Sequence, residues 1–134
     1  MRWCREVVAG VEKIVLEVTE HDDAYLAGQA DILGPERLRA LRHVFAETAA
    51  GLSQTIMLAA RSGDHVTYRR AAHQLGSGAS ALGLGRLFAR CTLLEATAAS
   101  MSPDELESAA AELETLRGMS LSTLDERLRA PEMV

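Results

Sequence analysis

The stretch DHVTYRRAAHQLGSGASALGLG, residues 64–85, decides the fold of this 134-residue chain. Within it Tyr68, Ala72, Leu75, Ala79 and Leu82 recur at i, i+4, i+7, i+11 and i+14, the spacing of one face of an α-helix. Asp64 is placed to cap that helix and Gly83 to end it. At 100° per residue, with His73 set at zero, Leu75 falls at about 200°, Ala79 at about 240° and Leu82 at about 180°. His73 is therefore expected to face solvent. Arg69, Arg70, Gly76, Ser77 and Ser80 lie within roughly 60° of it and are expected on the same face.

The same periodicity extends to both sides. Gly34-Pro35-Glu36 is a helix start, and Leu38, Leu41, Phe45, Ala49, Leu52, Ile56 and Ala59 continue it with helical spacing to an end near Gly63. Downstream, Leu84, Leu87, Phe88, Cys91, Leu94 and Ala98 give a third stripe. Ser102-Pro103 opens a fourth, carried by Leu106, Ala110, Leu113, Leu116, Leu121, Leu124 and Leu128. Gly118 leaves open whether that last segment is one helix or two short ones. Four long amphipathic segments joined by short turns predict an all-α, antiparallel four-helix bundle. Tyr25 to Ile32 is expected to form a short helix leading into Gly34. Val7, Val8, Val11, Ile14, Val15 and Val18 suit a further N-terminal helix, although their β-branching also suits a strand.

Composition narrows the function. With 48% hydrophobic residues, the chain has apolar material for one core. It contains no run of eighteen apolar residues, and Arg2, Arg5 and Glu6 interrupt its first ten residues, so neither a membrane span nor a secretory signal is expected. These features predict a cytoplasmic protein. The net charge of -5 and the scarcity of aromatics (Trp3, Tyr25, Phe45, Tyr68 and Phe88) argue against a nucleic acid partner. Cys4 and Cys91 are too few for a disulfide framework, and His21, His43, His65 and His73 lack metal-ligand spacing. The glycine-rich run is not a phosphate loop: a G-x-G-x-x-G pattern from Gly76 would need glycine where Ala81 stands, and Gly83 is followed by Leu84 instead of Lys. The pairs Arg90/Glu95 and Glu112/Arg117, five residues apart, read as surface decoration.

The chemistry centres on His73. A neutral imidazole, with an ordinary pKa of about 6.5, is a competent nucleophile, and nearby arginines can steady an added phosphoryl group. Gly76 and Gly78 each cost about 1 kcal/mol in a helix relative to Ala, and bare backbone beside the histidine would let another protein approach. Phosphoryl acceptance is a candidate on these grounds alone.

Ala72-His73-Gln74-Leu75 followed by Gly76-Ser77-Gly78-Ala79-Ser80-Ala81-Leu82-Gly83 resembles the signature of histidine-containing phosphotransfer (HPt) domains, A-H-x-L-K-G-S-S-A-x-x-G. The resemblance extends to Ile32-Leu33-Gly34 with Phe45, the Ser62-Gly63-Asp64 turn, and Cys91 with Leu94-Glu95, covering roughly residues 22 to 128. It divides the chain into an N-terminal extension, 1–21, expected to be helical, and an HPt-like bundle, 22–134.

The resemblance implies a phosphocarrier that accepts a phosphoryl group on His73 from a receiver-domain aspartate and passes it to another receiver. Such a protein is an intermediate without kinase activity of its own. Its partners would be receiver domains of a hybrid sensor kinase or a response regulator, and those receivers would supply the Mg²⁺. The chain is expected to hold no cofactor or metal itself. Arg69, Arg70, Gln74, Gly76 and Ser77 are the expected phosphate-stabilising or docking residues. Two positions depart from the family pattern: Gly76 stands where Lys is usual, and Ser77 where Gly is usual. Arg69 or Arg70 is expected to replace the missing charge. The alternative is a helical adaptor that is never phosphorylated and instead binds and regulates a receiver or kinase domain.

Overall fold

A computed structural model describes residues 34–129. The readings for Val7 to Val18, for Tyr25 to Ile32 and for the 1–21 extension lie outside the described residues. Among the described residues there are four α-helices: α1 (Pro35–Ser62), α2 (His65–Ala81), α3 (Gly85–Thr97) and α4 (Pro103–Arg129). A single 3₁₀ turn, Ala98–Ser100, links α3 towards α4.

Local chemistry sets each boundary. Pro35 occupies the first turn of α1, and Gly63 closes that helix at φ +69°, a left-handed conformation that favours glycine. Asp64 caps α2: its Oδ1 accepts from the Thr67 amide at 3.1 Å and its Oδ2 from the Thr67 hydroxyl at 2.6 Å. Gly83, at φ +71°, makes the reversal into α3. Ser102 and Glu105 form a reciprocal capping box at the start of α4. The Ser102 amide donates to Glu105 Oε1 at 3.1 Å, and the Glu105 amide donates to Ser102 Oγ at 3.2 Å. α4 runs unbroken through Gly118, so the open choice at its end resolves to one helix.

Side-chain pairs show how the helices run. Arg39, early in α1, donates to the carbonyl of Leu128 at the end of α4, and Arg42 pairs with Asp125. At the other end of α1, Arg61 meets Glu107 near the start of α4. α1 and α4 are therefore antiparallel. The buried hydroxyl of Tyr68, early in α2, donates to the carbonyl of Leu106, early in α4. α2 thus runs with α4 and against α1, and the tight Gly83 turn sends α3 back along α2.

The core is the set of predicted stripes. Leu38, Phe45, Ala49 and Ile56 of α1 are buried with Tyr68, Ala72, Leu75 and Ala79 of α2. Leu87, Cys91 and Leu94 of α3 and Leu106, Leu113, Leu121, Leu124 and Leu128 of α4 complete it. Two stripe residues are corrected. Leu41 is 42% exposed and Phe88 40% exposed: Phe88 lies about 80° round α3 from the centre of its stripe, and Leu41, at the edge of its own, shares its angle with Ala59, whose small side chain is buried where the longer leucine reaches solvent. Burial pushes the Tyr68 hydroxyl up to about 12, and burial together with the charge of Glu95 pushes the Cys91 thiol up to about 12.

Candidate functional site

His73 stands in the middle of α2 with 64% of its side chain exposed, on the side away from Leu75, as the helical wheel requires. It does not stand alone. Glu95, on α3, brings its carboxylate to the imidazole, with Oε1 and Oε2 each 3.1 Å from Nδ1. An ionised carboxylate only accepts, so Nδ1 donates and carries the proton of the neutral ring. Nε2 is left with its lone pair free. The Glu95 side chain is 39% exposed, so the pair stands at the bundle surface and is only partly shielded from water.

A second link fixes this geometry. Nε of Arg69 donates to the backbone carbonyl of Glu95 at 3.1 Å, tying α2 to α3 at the residue that holds the imidazole. Arg69, Arg70, His73, Gln74 and Glu95, with Val66, line an open depression of about 410 Å³. Arg69, Arg70, His73 and Gln74 are exposed. The depression thus joins one nucleophilic nitrogen, two guanidiniums, one side-chain amide and a carboxylate that is already engaged. This arrangement suits an anion arriving at Nε2.

Two of the expected site residues lie outside it. Ser77 is exposed on α2 but does not line the depression. Gly76 is buried, which corrects its expected place on the open face. A Cβ at Gly76 would stand 3.0 Å from Cys91 Cβ and 3.8 Å from the Phe88 ring. A Cβ at Gly78 would stand 2.7 Å from the Phe45 ring. Both glycines therefore make room for neighbouring helices of the same fold: α3 presses on one flank of α2 and α1 on the other. The exposed sector around His73 is narrower than a wheel with a single leucine stripe implies.

Glu95, which the sequence places in a surface pair with Arg90, instead holds the imidazole and lines the depression. The signal lay in the helix register. Cys91 packs on Gly76, and in an antiparallel pair one turn forward on α3 meets one turn back on α2, which brings Glu95 to His73. Arg117 likewise pairs with Glu114, one turn away, instead of Glu112. His43 pairs with Glu47 on α1, and the His65 ring lies between the carbonyls of Gly63 and Met101; neither lines the depression. Among the described residues no group of three His, Cys, Asp or Glu side chains is arranged to hold a metal, and no helix is long and apolar enough to cross a membrane.

A family model described as the Hpt domain matches residues 40–130. No curated protein and no solved structure matches the chain.

Proposed function

The chain belongs to the Hpt domain family, whose members transfer phosphoryl groups through histidine in two-component phosphorelays and interact with receiver domains, and from that premise we propose that His73 is the phosphoacceptor. The observation that carries this reading is the Nδ1 hydrogen bond to Glu95, which leaves Nε2 free on an exposed face flanked by arginines.

The transfer follows from those atoms. The Nε2 lone pair attacks the phosphorus of a receiver's aspartyl phosphate, the N–P bond forms, and the P–O bond breaks with its electron pair leaving on the aspartate carboxylate. The imidazole gains positive charge as it attacks. The Nδ1 proton stays in its hydrogen bond, and the Glu95 carboxylate offsets the new charge. In the reverse sense, the same Nε2–P bond breaks onto a second receiver's aspartate. Mg²⁺ belongs to the receiver's acidic pocket in this scheme, and this chain contributes the nucleophile, its orientation and the docking surface. The chain is then a carrier in the relay and not a kinase.

The test is transfer of radiolabelled phosphate from phosphorylated receiver domains of the same organism to the wild type and to His73→Ala. Acid-labile label on the wild type alone is expected. Receiver binding that is equal in both proteins, with label on neither, would establish a regulatory adaptor instead.

A further inference from the structure

Resting on the reading of His73 as phosphoacceptor, we propose that Arg70 is the residue that binds the phosphoryl group, in place of any cation at position 76.

Position 76 has no side chain, and its α-carbon faces Cys91 and Phe88 inside the α2–α3 contact, away from the open depression. The charge at the site must come from elsewhere. Arg69 and Arg70 both line the depression, but their circumstances differ. Arg69 commits its Nε to the Glu95 carbonyl and so holds α3 and the carboxylate in register. Arg70 lies three residues before His73, on a neighbouring ridge of the same helix face. Among the described residues, Arg70 makes no hydrogen bond and no ion pair, and its guanidinium is exposed.

The nearby carboxylates are already engaged. Glu95 faces Nδ1 of His73, and Asp64, held below its ordinary range first by its hydrogen bonds to Thr67 and least by the charge of Arg70, spends both oxygens on Thr67. Arg70 therefore presents an exposed guanidinium, with no hydrogen bond among the described residues, to the depression that His73 also lines. A planar guanidinium with paired N–H donors matches two oxygens of a phosphoryl group, which a point charge on a lysine would not. Arg69 is a positioning residue and Arg70 the phosphate ligand.

Phosphoramidate, a small anionic phosphodonor, tests this without a receiver and so without docking. Nε2 forms the N–P bond, the donor's P–N bond breaks, and ammonia leaves with the electron pair. Label uptake is followed in wild type, R70Q, R70K, R69Q and H73A, with helicity checked by circular dichroism. R70Q is expected to take up label about fivefold more slowly, as for loss of one exposed charge contact. Its rate should also respond less to added salt, and R70K should recover part of the loss. R70Q labelling at the wild-type rate with unchanged salt dependence would overturn the proposal, whether or not R69Q is slowed. Failure of the underlying reading would look different: wild type would take up no label, or H73A would take up as much.

Discussion

Nδ1 of His73 lies 3.1 Å from both carboxylate oxygens of Glu95, so a residue on α3 determines which nitrogen of a residue on α2 is free to react. Removing the carboxylate frees the ring to rotate and to take either tautomer, and it removes the charge that offsets the phosphorylated imidazole. Because the pair is substantially exposed, its contribution is at most about 1 kcal/mol, or about fivefold in rate. Glu95→Ala should therefore slow phosphorylation of His73 by about that factor. Glu95→Gln, which still accepts a hydrogen bond, should fall between. Stopped transfer assays with helicity monitored check this, and a wild-type rate in Glu95→Ala would refute it.

Gly78 and Gly118 should respond oppositely to alanine. At Gly78 a methyl group would overlap the nearly buried ring of Phe45, and overpacking costs about 1–3 kcal/mol, more than the gain of up to about 1 kcal/mol in helix propensity. At Gly118 a Cβ meets nothing within 4 Å, so only the gain remains. Urea denaturation should show Gly78→Ala less stable and Gly118→Ala more stable than wild type. Phe45→Leu should reduce the cost of Gly78→Ala in a double-mutant cycle.

Acid should weaken the fold through its caps. Hydrogen bonds from the Thr67 hydroxyl and amide hold Asp64 below the ordinary carboxylate range, and those from the Ser102 amide and hydroxyl do the same for Glu105. Both groups bind protons more weakly folded than unfolded. Their stabilisation is therefore full above about pH 4–4.5 and is lost as pH falls through the lower folded values. Melting temperatures of Asp64→Asn and Glu105→Gln should lie below wild type at pH 6 and converge with it towards pH 3. A gap that stays constant across that range would show that the charges contribute nothing.

Cys91 should be inert in the native protein. Burial, with the Glu95 charge added, pushes its thiol up to about 12, so almost no thiolate exists at pH 8. In a Cys4→Ser background, a thiol reagent should leave the native chain unlabelled and modify one site once denaturant unfolds it. Rapid native labelling would contradict the packing of α3 on α2.

Periodicity made most of this architecture legible. The stripe from Tyr68 to Leu82 is buried, and His73 faces outward because it lies opposite that stripe. Punctuation was equally readable: Pro35, Gly63, Asp64, Gly83 and Ser102 stand at the helix boundaries. A single-helix wheel does not show contacts made by a neighbouring helix. Gly76 was misplaced because α3 covers a flank that the leucine stripe alone leaves open, and Glu95 was missed because its partner lies 22 residues away on another helix. Arg69 and Arg70 look equivalent in sequence, and only the carbonyl of Glu95 distinguishes them.

The most direct test of the central claim is to locate the phosphoryl group by phosphorus–nitrogen correlation NMR on phosphorylated protein labelled with ¹⁵N-histidine. One phosphohistidine is expected, at His73, with phosphorus bonded to Nε2 and a proton retained on Nδ1. Phosphorus on Nδ1 of His73, or on His43 or His65, would contradict it.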